Sequence, residues 1–206
     1  MKNSILAINN AFSPTLIAFE SKSGEYFSVR ENPPKKFPNN ILFIIESFLK
    51  AFSIKPNNIG AIAVVNGPGS FTGTRITVVE AKMIAYSLSI PLVAINSVKL
   101  IGSIVQNGTV ALPAGRNEFF TAEFKNGKMT GELKCTTIDK IDSKERYSVK
   151  KIENEFGRKI NVVSVSGEQL LKYAKTELEK GEIYKGPLAL KPIYLRSTDL
   201  LFKKRK

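Results

Sequence analysis

The stretch Ile59-Gly60-Ala61-Ile62-Ala63-Val64-Val65-Asn66-Gly67-Pro68-Gly69-Ser70-Phe71-Thr72-Gly73-Thr74-Arg75 decides the fold. Ile59 to Val65 is a continuous apolar run and reads as a buried strand, while Gly67 to Gly73 is a turn. Thr74 to Ser89 contains no glycine or proline and reads as a helix, and Pro91 to Ile95 as a further strand. Upstream, Ile5 to Ile8, Thr15 to Phe19 and Tyr26 to Val29 are three short strands. Asn9-Asn10, Ser13-Pro14 and Ser23-Gly24 separate them as turns, which makes a meander. Pro33-Pro34-Lys35-Lys36 is a loop, and Pro38-Asn39-Asn40 starts a helix over Ile41 to Phe52. Three strands, helix, strand, helix, strand define an α/β unit with a mixed sheet.

Downstream the pattern loosens. Val110 to Leu112 is a short strand, and Phe119 to Phe124 and Lys128 to Leu133 flank the hairpin signal Asn126-Gly127. Ile160 to Val165 is a strand and Gly167 to Leu178 an amphipathic helix, whereas 136–159 is charged and without clear period. The order loosely echoes the first half. It suggests a duplicated architecture, with one lobe over 1–100, a smaller lobe over 101–206 and the join near Ser97 to Gly108.

Composition removes much catalytic chemistry. The 206 residues include no histidine, no tryptophan and a single cysteine, Cys135. A Ser-His-Asp triad, a Cys-His dyad and a histidine-bearing zinc site are therefore excluded. One thiol cannot close an internal disulfide, in keeping with a reducing compartment. No secretion signal is visible, since Asn9-Asn10 interrupts the apolar run after Lys2, so a cytoplasmic protein without a membrane span is expected. Lysine and arginine number 31 against 18 acidic residues, a formal charge of +13. That excess suits a polyanion or an acidic protein face, or else a solvated lysine-rich surface. The clearest basic cluster is Lys203-Lys204-Arg205-Lys206.

Both helices of the first half carry more apolar surface than one sheet can cover. Around the second, Ile76, Val79, Met83 and Ile90 form one stripe, and Val78, Ala81, Ile84, Ala85 and Leu88 another nearly opposite. In the first, Ile41, Ile44, Ile45, Phe48 and Phe52 make a stripe that Leu42 and Leu49 widen, while Phe43 points elsewhere. Each large apolar side chain left in water forgoes about 1.5–3 kcal/mol. Either the helices cover each other, or another chain covers them. The second reading makes Leu42, Ile45, Leu49, Phe52, Val78, Ala81, Ala85 and Leu88 the candidate interface.

The turn itself has two readings. Gly67, Gly69, Ser70, Thr72, Gly73 and Arg75 could present backbone N–H groups and a cation to an anion at a helix N-terminus. Equally, they could make a tight turn in which Ser70 or Thr72 caps the helix. The spacing is neither a Walker A loop nor the dinucleotide fingerprint.

The run Gly67-Pro68-Gly69-Ser70-Phe71-Thr72-Gly73-Thr74-Arg75-Ile76 closely resembles the signature of the TsaB (YeaZ) family. Ala81-Lys82, Ile90-Pro91-Leu92-Val93-Ala94-Ile95, Asn96-Ser97 and the opening Ile5-Leu6-Ala7-Ile8 match as well. Arg116-Asn117-Glu118-Phe119-Phe120 and Lys191-Pro192-Ile193-Tyr194-Leu195-Arg196 look like two further family segments. The resemblance implies two ribonuclease-H-like lobes of the actin/hexokinase/Hsp70 superfamily. It also implies a part in making threonylcarbamoyladenosine beside the anticodon of tRNAs that read codons beginning with A. In that system the TsaD subunit is catalytic, TsaE is an ATPase of the same complex, and family members form homodimers through their N-terminal helices. The implied role here is a scaffold or activator that binds TsaD, with no catalytic or metal residues of its own. ATP and metal are expected on the partner subunits, and tRNA contact through the complex.

Two departures bear on this. The family's opening strand usually runs into Asp-Thr-Ser, whereas here Ile8 is followed by Asn9-Asn10-Ala11. The aspartate expected just before Arg116 is replaced, the segment reading Pro113-Ala114-Gly115-Arg116. An ATP-using lobe needs an acidic group near that first strand to hold Mg²⁺. The loss of charge counts against the alternative function, an autonomous ATPase or kinase of the same superfamily. A metalloprotease would need the histidines this chain lacks.

Overall fold

The structure is a computed structural model and describes residues 4–31, 41–115, 117–141, 145–149, 160–181, 183–184 and 186–195. The proline-lysine loop at 33–36, the helix start at 38–40, Arg116, Arg196, the basic cluster at 203–206 and much of 136–159 lie outside these.

Strands β1 (Ile5–Asn9), β2 (Thr15–Glu20) and β3 (Tyr26–Glu31) form the antiparallel meander. Helix α1 (Ile41–Ala51) follows, then β4 (Ala61–Gly67), α2 (Phe71–Leu88) and β5 (Leu92–Asn96). β4 lies parallel to β1 and β5 parallel to β4, as the crossover through α2 requires. With β12 (Ile183–Tyr184) the first sheet runs β12-β5-β4-β1-β2-β3. Side chains alternate across it. Leu6, Ile8, Ile17, Phe19, Ile62, Val64 and Leu92 meet α1 and α2 on one face. Ala7, Leu16, Ala18, Ala63, Val65 and Ile95 meet the rest of the chain on the other. Covered on both faces, β1 and β4 are wholly buried, which explains their unbroken apolar runs.

The second sheet contains β6 (Gly108–Gly115), β7 (Glu118–Lys125), β8 (Lys128–Met129), β9 (Lys134–Thr137), β10 (Arg146–Ser148) and β11 (Asn161–Val162). Its path is β11-β10-β6-β7-β8, with β9 also paired to β7. The two mixed sheets flanked by helices are the expected α/β architecture.

Several expectations need correction. The segment read as the join, Ser97 to Gly108, is mostly helix: α3 spans Ser97–Val105, with the Asn96 side chain accepting from the N–H groups of Val98 and Lys99. Gly102 is buried in mid-helix, where a Cβ would lie 2.1 Å from the ring of Phe124. The glycine that weakens the helical pattern is thus demanded by packing on β7. The hairpin's second arm is only two residues long, and the pairing with β7 is continued by β9.

The second half also crosses back. Helix α4 (Gly167–Glu179) packs against β1, β2, β3 and β5, and Lys175 pairs with Glu20 of β2. β12 then pairs antiparallel with β5. Residues beyond 100 thus contribute β12 to the first sheet and α4 to one of its faces.

Candidate docking face and inter-lobe turn

Helix α2 starts where Ser70 Oγ accepts from the N–H of Gly73, so Ser70 and not Thr72 is the cap. Its core side consists of Thr74, Thr77, Val78, Ala81 and Ala85, all buried. Ala81 and Ala85 let the helix lie close to β4. This overturns part of the expected interface: Val78, Ala81, Ala85 and Ile45 of α1 are inside the chain's own core, within 2% of full burial. A single large residue on that stripe would lift the helix off the sheet, so the alanines belong inward and the bulkier stripe outward.

The other stripe faces solvent. Val79 is 57% exposed and Met83 54%, and Ile76 is half-buried beside them. Tyr86 and Phe71 extend this face along the helix. On α1, Leu42 and Phe43 are exposed, Leu49 is half-buried, and Phe52 packs on Phe27 and Phe48 at 4.6 and 5.1 Å between ring centroids. Leu88 is half-buried. Of the expected interface residues, Leu42, Leu49, Phe52 and Leu88 retain accessible surface. Sequence reasoning puts Val79 and Met83 on the opposite stripe but does not select them; their size relative to Ala81 and Ala85 is the signal that would.

Between the helices lies Glu80. It accepts from the backbone N–H of Leu42, yet burial dominates and pushes its carboxyl up to about 7. Its Oε2 is buried without a hydrogen-bond partner.

The glycine turn is packed against the loop after β1. Ser70 N–H donates to the carbonyl of Ala11 at 2.7 Å, and a Cβ on Gly69 would stand 2.1 Å from that same oxygen. A Cβ on Gly73 would stand 2.3 Å from the carbonyl of Asn10. Gly67 has φ +101°, a conformation other residues resist. Gly69 and Gly73 are thus demanded by packing and Gly67 by its backbone conformation. The last described segment covers the turn from the other side: Ile193 N–H donates to the Asn66 carbonyl and Asn66 Nδ2 to that of Lys191. Ser97 Oγ donates to the Pro68 carbonyl. Thr72 is exposed, and the Arg75 guanidinium sits 5.0 Å above the ring of Phe71.

The end of β1 does not fit a Mg²⁺-nucleotide site. Asn9 is fully buried; its Nδ2 donates to the carbonyls of Phe12 and Pro14, and its Oδ1 accepts from Ala11 N–H. Asn10 Oδ1 accepts from Thr15. These amides hold the loop, and neither supplies the carboxylate that the metal of an ATP-using lobe would need there. Among the described residues no group of three or more His, Cys, Asp or Glu side chains could hold a metal ion, and no helix is long and apolar enough to cross a membrane.

The two layered sheets and the strand-turn-helix unit define a class that comparison with known proteins makes specific. The family model for TsaD, tRNA N6-adenosine threonylcarbamoyltransferase, matches residues 31–184, and the chain belongs to that family. The particular relatives are TsaB proteins, so it stands with the TsaB/YeaZ group. It is 34% identical over 89 residues to the Bacillus subtilis tRNA threonylcarbamoyladenosine biosynthesis protein TsaB, covering 40% of this chain and 39% of that one. To TsaB of Escherichia coli it is 28% identical over 137 residues, covering 62% and 59%. The matches thus span between 39% and 59% of these curated relatives. The solved structure of YeaZ from Pseudomonas aeruginosa superposes with a TM-score of 0.74 at 18% identity, over 94% of this chain and 100% of that one, which establishes the shared fold.

Proposed function

We propose that this chain is a non-catalytic scaffold or activator subunit in the biosynthesis of threonylcarbamoyladenosine on tRNAs that read codons beginning with A. It acts by binding a TsaD-type catalytic subunit through the outer faces of α1 and α2. The observation that carries this reading is the stripe of exposed Val79 and Met83, with half-buried Ile76 beside them, on a helix whose opposite stripe already fills the core. Leu42 and Phe43 on α1 are likewise exposed. Contiguous apolar surface of this kind is what interfaces use. The asparagines at the end of β1 support a role without ATP turnover, with ATP and metal on TsaD and on a TsaE-type ATPase of the same complex. The curated TsaB relatives support the pathway. In the absence of a partner the same face closes a homodimer, tRNA is met through the assembled complex, and the setting is cytoplasmic.

Light-scattering mass on a sizing column, for the full chain alone and mixed with a TsaD-type protein, tests this. A dimer alone and a new heteromer in the mixture are expected, and both are expected to disappear in Leu42→Glu and Met83→Glu chains that keep their circular dichroism spectrum. A monomer that ignores TsaD, or variants that associate like the parent, would overturn the reading.

A further inference from the structure

Val110 and Leu112 of β6 point into the core shared with α3 and α4, so Thr109 and Ala111 point to the opposite face of the second sheet. Across the β6–β7 pair Glu123 stands opposite Thr109, and Thr121 opposite Ala111. On the other side of β7, Lys134 of β9 stands opposite Thr121. Cross-strand partners share a face, so these polar residues gather on it, with Thr109 and Thr121 as diagonal neighbours roughly 7 Å apart. A cavity of about 360 Å³ opens there, and Glu132, Lys140 and Ile141 complete its wall. That volume lies at the lower end of the range for small-molecule pockets.

Thr109 is 3% exposed and Thr121 2%, and the hydroxyl oxygen of each is buried without a hydrogen-bond partner. Ser148 of β10, on the same face by the register of β10 with β6, is fully buried and likewise unpaired. An unpaired buried hydroxyl costs stability until something bonds to it. Thr15, about as deeply buried in β2, does have a partner and donates to Asn10 Oδ1 at 2.9 Å. At the rim of the cavity stand two carboxylates, Glu123 and Glu132, and two ammonium groups, Lys134 and Lys140, all exposed. Among the described residues none of the four makes an ion pair. A lone anion or a lone cation entering here is repelled by one pair, whereas a molecule that carries both signs is attracted by both.

We propose that this cavity binds a small zwitterion of the α-amino-acid class, its ammonium group meeting Glu123 and Glu132, its carboxylate meeting Lys134 and Lys140, and a polar side-chain atom bonding to the Thr109 and Thr121 hydroxyls. A hydroxyl on the ligand both donates and accepts, which matches two threonine hydroxyls that do the same. The site lies on the face of the second sheet turned away from α3, whereas the docking face belongs to helices that cover the first sheet. It stands or falls independently of TsaD binding.

Isothermal titration of the full chain with L-serine, L-alanine, ethanolamine and D-glycerate tests the assignment. Serine carries both charges and a hydroxyl; alanine lacks the hydroxyl, ethanolamine the carboxylate and glycerate the amine. Serine is expected to bind most tightly, alanine about fivefold more weakly, and the two single-charge compounds about tenfold or more weakly. Thr109→Val and Thr121→Val preserve shape. Each is expected to weaken serine severalfold, to leave alanine little changed and to raise the melting temperature of the free chain, since it removes an unpaired buried hydroxyl. Glu123→Gln is expected to weaken serine and alanine alike. No heat with serine at about 10 mM would overturn the proposal, as would ethanolamine or glycerate binding as well as serine. Valine variants that melt higher yet bind serine like the parent would overturn it too.

Discussion

The backbone N–H of Ser70 and the carbonyl of Ala11 meet at 2.7 Å, which ties the glycine turn to the loop that leaves β1. The same close approach leaves no room for a side chain at Gly69, and the next carbonyl back, that of Asn10, excludes one at Gly73. It is the joint on which the crossover from β4 to α2 is built.

Replacing Gly73 with alanine would drive a Cβ to 2.3 Å from the Asn10 carbonyl, against backbone that cannot move aside. A loss of about 2–3 kcal/mol of unfolding free energy is expected. Gly131→Ala, which meets nothing within 4 Å, serves as the control. Urea unfolding should leave that control within about 0.5 kcal/mol of the parent.

Asn9→Asp restores the acidic residue of an ATP-using lobe in name only. The new carboxylate would face the carbonyls of Phe12 and Pro14, to which the amide now donates, in a fully buried position. A destabilisation of about 3 kcal/mol is expected, and Mg-ATP should not shift the urea midpoint back. Recovery by Mg-ATP would show that a nucleotide site lies one substitution away.

The two faces of α2 separate folding from association. Ala85→Glu places a carboxylate where no side-chain surface reaches water, and should cost about 3 kcal/mol or more. Met83→Glu stands on the exposed stripe and should change stability by no more than about 0.5 kcal/mol. Thermal melts of both, read beside their column masses, check the assignment of inside and outside.

Glu80 predicts a pH dependence. Burial lets the folded chain hold the Glu80 proton up to about 7, whereas the ordinary value is 4.5. Between those values the folded state binds more protons than the unfolded one, so this residue's contribution to stability falls as pH rises through the window and levels off above it. With partial access to water taken into account, the fall is about 1 kcal/mol. Glu80→Gln should flatten it, with urea midpoints at about pH 5 and about pH 8 brought closer together than in the parent.

Much of the first sheet is legible in the residue order alone. Ile5 to Ile8, Thr15 to Phe19 and Ile59 to Val65 are strands within a residue or two of their observed bounds, because strands buried on both faces are apolar without interruption. α3 escapes such a reading because Gly102 weakens its pattern, and only the ring of Phe124 explains that glycine. β9 and β10 escape it because strands of three or four half-buried residues carry too little periodicity to stand out.

Residue type and local spacing suffice for the fold class, the strand-turn-helix unit and its family signature, the absence of histidine chemistry and the surplus of apolar surface on α1 and α2. None of these needs knowledge of what lies across the core. That Ala81 and Ala85 face the sheet while Val79 and Met83 face water is settled in three dimensions. Two apolar stripes differ in sequence only by the size of their side chains, and that difference acquires a meaning from the depth available above β4. The meeting of Phe71, Arg75 and Tyr194 is likewise settled in three dimensions. Residues more than a hundred positions apart come together only through the return of the chain along the glycine turn, and no local pattern records that return.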